Sequence, residues 1–222
     1  MAEELYHIVS DLHLGNSYFH CGEFAGLLDA LPETSTLILN GDVIDDPERT
    51  LSDEHAHILQ RLIDESHRRR IVWVYGNHDA DFHIEDPGQI EFVDAWSIDC
   101  RLLIVHGNDL DDVMPRHGLF KWVFRRIHHL FVALGLRDMH VAEYAKKWRL
   151  LYRVLNERVA RNALRAAERQ GYEAITCGHT HAAMDIERDG KRYINTGAWT
   201  ELPLHYVRID ATSIELCVWS GA

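Results

Sequence analysis

Cysteine is scarce and dispersed. The four residues Cys21, Cys100, Cys177 and Cys217 form no C-x-x-C pair, which gives neither a disulfide framework nor a thiolate metal knuckle and fits a reducing, cytosolic compartment. Long apolar runs are missing too. No stretch approaches the roughly 18 uncharged apolar residues that a membrane span needs. The opening MAEELYHIV has no basic region and no apolar region of the secretory kind, so no leader is expected. Internal repeats and low-complexity tracts are likewise wanting. What remains is a chain of 222 residues, 46% hydrophobic, long enough for one domain with a sizeable core.

Positive charge is also in deficit, with 23 Lys and Arg against 35 Asp and Glu, a net of −12. The deficit is uneven. Residues 113–170 hold 13 of the basic and 4 of the acidic residues, or +9, leaving 10 basic and 31 acidic residues, or −21, for the rest. A body at −21 would repel a phosphate backbone, so nucleic acid is not an expected partner. Within 113–137 there are five Lys and Arg, no acidic residue, and the apolar Phe120, Val123, Phe124, Ile127, Leu130, Phe131 and Leu134 at helical spacing. That combination suits a membrane interface or a lipid phosphate. An ordinary solvated helix pair is the plainer alternative. Peripheral contact with the inner face of a membrane is therefore an expectation for this segment.

Short apolar runs recur, at LYHIV (5–9), TLIL (36–39), IVWVY (71–75), RLLIV (101–105), AITC (174–177) and RYIN (192–195), followed by the alternating HYVRI (205–209) and SIELCVW (213–219). These read as strands, the last two as an antiparallel pair. A helix is expected over 52–69, capped at Ser52, with Ile58, Leu59, Leu62 and Ile63 along one stripe. Strands alternating with helices predict an α/β sandwich. Residues 113–170 carry no strand pattern. They predict a helical insertion within a single domain spanning 1–222, with one helix over 119–134 and another over about 141–169.

Polar residues follow five of the strands: Ser10-Asp11-Leu12-His13, Asn40-Gly41-Asp42, Gly76-Asn77-His78-Asp79, His106-Gly107-Asn108 and Gly178-His179-Thr180-His181. Ligands of open α/β sheets bind outside the carboxyl ends of the strands. In D-x-H and H-x-H, alternate residues of an extended segment point the same way, so both can face one ion. A lone D-x-H or G-D is most often only a turn. Five such clusters, each at a strand end, are not turns by coincidence. Imidazole together with carboxylate suits Mn, Fe or Zn, and so many ligands fit two ions sharing a carboxylate. Two ions about 3.5–4 Å apart can clamp the attacking and leaving oxygens of a phosphoryl transfer.

With DLH (11–13), GD (41–42), GNHD (76–79), HG (106–107) and GHTH (178–181), the chain resembles the calcineurin-like metallophosphoesterase superfamily. The resemblance implies a β-sandwich flanked by helices and two divalent ions, Mn²⁺ before Fe, Zn or Mg. Asp11, His13, Asp42 and His181 would hold one ion. Asp42 again, with Asn77, His106 and His179, would hold the other. His78 would be a catalytic histidine outside the metal shell, oriented by Asp79. A metal-activated hydroxide would attack phosphorus. Within the superfamily, SDLHLG (10–15), the insertion and INTGAW (194–199) are most similar to the UDP-2,3-diacylglucosamine hydrolases of lipid A biosynthesis. Those enzymes split a nucleotide-linked glycolipid into UMP and an acylated sugar phosphate. The chain departs from them in reading GNHD for GNRD and HGN for HGD, which brings it nearer the general superfamily. A soluble phosphodiesterase or phosphoprotein phosphatase is the competing substrate class, and a non-catalytic scaffold of the same fold the competing function. For a glycolipid, the insertion would form a lid, with Phe124 and Phe131 on acyl chains and Lys147 and Arg149 near phosphates.

Further residues carry weaker signals. Asn40, Asp45 and Asn108 either orient ligands or cap strand ends. His128 and His129 have no third ligand at helical spacing. Trp199 either lines the pocket or fills the core, and His20 and Cys21 are expected to pack a loop.

Overall fold

The computed structural model describes residues 4–112 and 153–221, together with the backbone of 141–152. Two compact units divide the chain, residues 1–108 with 163–222 and residues 109–162.

The first unit holds two sheets. In one, β1 (Tyr6–Val9), β2 (Thr36–Asn40), β3 (Ile71–Val74) and β4 (Glu91–Val93) are parallel neighbours, and β10 (His205–Ile209) and β11 (Ile214–Val218) extend it antiparallel beyond β1. The other runs β5 (Trp96–Ile98), β6 (Leu102–Ile104), β7 (Ala174–Cys177), β9 (Lys191–Asn195) and β8 (Met184–Arg188), with β6, β7 and β9 parallel. Helices α1 (Cys21–Ala30) and α2 (Asp53–Glu65) connect the first strands.

The two-residue period of the strands sorts their side chains into two layers. Val9, Leu37, Leu39, Ile71 and Trp73 join Phe24, Leu27 and Leu28 of α1 and Ile58 and Leu62 of α2 in one apolar cluster. Their alternates, Ile8, Ile38, Val72 and Val74, join Leu102, Ile104, Ala174 and Ile194 of the second sheet in another. Both faces of the central strands are thus covered, which is why they read as unbroken apolar runs. α2 begins where expected, with Ser52 Oγ accepting from His55 N at 3.4 Å.

The second unit takes in the last two residues of a 3-10 turn (Asn108–Leu110) and the part of α3 (Val141–Gln170) up to Asn162. Arg158 grips Asp112 through Nε at 2.8 Å and a terminal nitrogen at 2.9 Å, and Asn162 Nδ2 donates to Leu110 O at 2.9 Å. No described helix is long and apolar enough to cross a membrane. The expected helix over 119–134, with Phe124, Phe131, His128 and His129, and the side chains of Lys147 and Arg149 lie outside the described residues.

Candidate metal centre

All nine residues expected at the centre, from Asp11 to His181, lie in the first unit on segments that leave β1, β2, β3, β6 and β7. They converge, but not by way of extended backbone. Asp11, His13, Asp42, His179 and His181 take φ of 55°, 53°, 51°, 63° and 56°. Among the described residues the only other non-glycine positions with positive φ are Asp99 and Asp189, each in a turn. The left-handed region costs an L-residue on the order of 1 kcal/mol or more, and here five potential ligands occupy it together. Neighbouring backbone holds them there. Asp11 N donates to Gly41 O and His13 N to Asp42 O, both at 3.0 Å, and Leu14 N to Val43 O at 2.8 Å, so the first two loops stay zipped beyond the strands. Leu12 and Leu14 drop into the core between the polar residues.

The polar atoms fall into three overlapping groups: Asp11, His13 and His181; His13, Asp42 and His78; Asp11, Asp42 and His106. Within each group the candidate ligand atoms lie within 4.8 Å of one another. His13 Nε2 faces His181 Nε2 at 3.1 Å, and His181 Nε2 is 3.3 Å from Asp11 Oδ1. Asn77 Oδ1 meets His179 Nδ1 at 3.0 Å. Close approach needs glycine at Gly41, Gly76 and Gly178, where a Cβ at the first would strike the His106 ring. A Cβ at Gly76 would strike the Asp42 carboxylate, and one at Gly178 would strike Asp11 and Ser10. That is why the apolar IVWV run ends in Tyr75 and then glycine.

His106 shows that the set fits a cation. Its Nδ1 lies 3.0 Å from Asn40 O, and since a carbonyl only accepts, Nδ1 carries the hydrogen. Nε2 then turns its lone pair toward Asp42 Oδ2, 3.2 Å away, without making a hydrogen bond. Two acceptors face each other so closely only around a positive charge. Burial alone would lower the His106 pKa, but the charges of Asp42 and Asp11 and the Asn40 carbonyl outweigh it and raise the pKa to about 10. The negative surroundings that raise this pKa favour a cation of any kind at Nε2. Burial likewise opposes ionisation of Asp11 and Asp42, yet both are held below the usual carboxylate range, Asp11 by His181 and His106, Asp42 by His106 and His78. His181 is raised, its burial outweighed by Asp11, whereas burial keeps His13 low. The donors are carboxylate, imidazole and one amide oxygen, which suit a divalent transition metal.

His78 is oriented differently from the expectation. Asp79 does not contact its ring. Asp79 is fully buried, with Oδ1 accepting from Gly76 N at 2.6 Å and Oδ2 from Val43 N at 2.8 Å and Trp73 Nε1 at 3.1 Å. It braces the loops, and burial raises its pKa. The partner of His78 is the carbonyl of Asp45, 2.6 Å from Nδ1, while His78 N donates to Asp42 Oδ1 at 2.8 Å. Nε2 is left toward the centre, 4.0 Å from Asp42 Oδ2. The Asp45 carboxylate stands 3.0 Å from His13 Nδ1, off the line of a hydrogen bond.

Trp199 is core, not pocket wall. It is fully buried, edge-on to Phe24 at 5.1 Å, and donates from Nε1 to His205 O at 3.0 Å. Cys21 is buried, but as the first residue of α1, so it packs the helix and not the loop before it. The hydroxyl of Ser10 and the amide of Asn195 carry no ligand pattern in the sequence, Asn195 being marked only by the N-T-G of 195–197.

Residues 6–183 match the calcineurin-like phosphoesterase family, and the chain belongs to it. No curated protein matches. Solved structures similar to the chain include the phosphoesterase Yfce of E. coli, 14% identical over 97% of this chain and 100% of that one with a TM-score of 0.46. Vps29 of Chaetomium thermophilum is 10% identical over 98% and 99%, with a TM-score of 0.48. A predicted phosphoesterase of Streptococcus pneumoniae TIGR4 is 14% identical over 100% and 92%, with a TM-score of 0.44.

Proposed function

We propose that the chain is a metal-dependent phosphoesterase using two divalent ions, Mn²⁺ first among the candidates. Asp11, His13, Asp42 and His181 hold one, and Asp42, Asn77, His106 and His179 the other. The observation that carries this reading is the overlap of the three ligand groups, in which Asp11, His13 and Asp42 each serve two. Bound metal supplies an acidified water and neutralises charge on phosphate oxygens. The chain's own residues do the rest. The carboxylates of Asp11 and Asp42 are almost wholly buried, so their field acts with little screening. His78, its Nδ1 fixed on the Asp45 carbonyl, presents Nε2 to donate a proton to the leaving oxygen. The competing assignment, His78 as a ligand beside His13 and Asp42, is separated by the variants below.

For the substrate we infer a nucleotide-linked glycolipid whose pyrophosphate is split to UMP and an acylated sugar phosphate. This finer reading is supported by SDLHLG, INTGAW and the basic, apolar character of 113–137. A soluble phosphodiester or a phosphoprotein is the alternative. The test is turnover of UDP-diacylglucosamine against a panel of simple phosphodiesters and a phosphopeptide with Mn²⁺ added, for the wild-type chain and Asp42→Asn. Wild type is expected to turn over the glycolipid best. Asp42→Asn is expected to lose activity and most of its bound metal by elemental analysis. Two retained ions with normal turnover would remove Asp42 from the bridging position. Bound metal in the wild type with no turnover of any member would favour a scaffold.

A further inference from the structure

Beneath the metal centre lies a buried polar cluster that holds no candidate ligand. Ser10, Asn195 and Thr196 are fully buried, and Tyr193 nearly so. Asn195, the last residue of β9, spends its whole amide. Its Nδ2 donates to Gly178 O at 2.6 Å, with Tyr193 OH at 3.1 Å and Thr180 Oγ1 at 3.2 Å also in reach, and its Oδ1 accepts from Gly197 N at 2.8 Å. Ser10 Oγ donates to Gly197 O at 3.1 Å and touches Thr196 Oγ1.

The Gly178 carbonyl is the informative partner. It belongs to the planar peptide whose other end is His179 N, and that N–H points at Asp11, 3.1 Å from Oδ1 and 3.2 Å from Oδ2. One rigid plane therefore has Asn195 at its carbonyl and Asp11 at its N–H. The same carbonyl accepts from Thr180 N at 2.7 Å, closing a tight turn in which His179 has a φ of 63° and His181, just beyond, 56°. A turn so strained keeps its shape only when its surroundings over-determine it. On the other side, Gly197 passes the restraint through Ser10 to the backbone of Asp11, and Trp199 N donates to Asp11 O at 3.0 Å.

We propose that Asn195 is a positioning residue that sets the spacing of Asp11 and His181, and so the affinity of the ion they share with His13. The proposal rests on the two-ion reading above. It also makes the effect unequal. Asp11 and His181 belong to the first ion, whereas the second takes only His179 from this turn, its other ligands being carried by segments after β2, β3 and β6. Loss of an outer partner commonly weakens a metal site by about 10–100-fold.

The test is titration of metal-free protein with Mn²⁺, free ion being read by electron paramagnetic resonance. In Asn195→Ala the first ion is expected to weaken by about 10–100-fold and the second by well under tenfold. The ion that remains should vanish when His106→Ala is added and persist when His181→Ala is added. Tyr193→Phe, which spares the Gly178 contact, should leave both affinities near wild type. If Asn195→Ala does not fold, Ser10→Ala breaks the same chain at its far end by removing one hydroxyl, and should show the same inequality at smaller size. Equal weakening of both ions would mean a general loosening of the fold and would overturn the proposal, as would wild-type affinities in both variants. A wild-type chain that binds no ion overturns the two-ion reading as well. Two tight ions, normal hydrolysis and no response to Asn195→Ala overturn this inference alone.

Discussion

At the scale of single residues, the candidate centre separates groups that face the proposed ions from groups that hold the geometry. His78 is the sharpest case. Its ring is fixed from behind by a carbonyl, its backbone N–H is tied to Asp42, and its Nε2 is uncommitted. His78→Ala is expected to lower kcat by roughly 10²–10⁴-fold, the range for loss of a general acid, with both ions retained by elemental analysis. Loss of an ion would instead make His78 a ligand beside His13 and Asp42. The residue types of the centre were legible from the sequence because carboxylates and imidazoles clustered after five apolar runs. Asp79 was legible as important and misread in role. Adjacency along the chain made it the natural orienter of His78, but a carboxylate beside three inward-facing N–H groups is claimed by them first. Asp45 was legible as an orienter or a cap, but it is its backbone carbonyl that meets the His78 ring.

At the scale of elements, every apolar run became a strand close to its expected limits, because a strand buried on both faces has little room for polar residues. Three strands escaped notice. β4 and β5 are three residues each, and β8 alternates partly exposed with exposed positions, so none offers an apolar run. The turns at the candidate ligands were also illegible. Left-handed backbone is announced by glycine, and here it is occupied by aspartate and histidine. Where glycine does appear, it marks close approach. Gly178→Ala would drive a methyl into Asp11 and Ser10. It is expected to destabilise the metal-free chain by about 1–3 kcal/mol and to depress Mn²⁺ uptake. Gly171→Ala has a positive φ but nothing near its Cβ, so it should cost backbone strain only and leave uptake intact. Unfolding in urea, paired with metal analysis, tells the two apart.

At the scale of the whole molecule, stability should depend on acid through a group that is not among the candidate ligands. His7 in β1 is buried beside Tyr206 with Nδ1 unpartnered. Burial first, then Arg208 and Arg69, lower its pKa from 6.5 to about 4. The folded chain keeps His7 neutral while the unfolded chain protonates it, so this contribution is complete above pH 6.5 and declines as the pH falls toward 4. The loss reaches at most about 3 kcal/mol. His7→Leu should flatten that part of the acid limb, measured as urea midpoints from pH 7 to 4.5 with chelator present. An identical decline in the variant would assign it to other groups. The five left-handed candidate ligands bear on the history of such a molecule. Each would fold at lower cost as glycine or asparagine, so relaxation of the centre should leave the sandwich sounder than before. Selection for robustness alone would erode the chemistry and spare the body. A lineage of this architecture can therefore fall silent without falling apart.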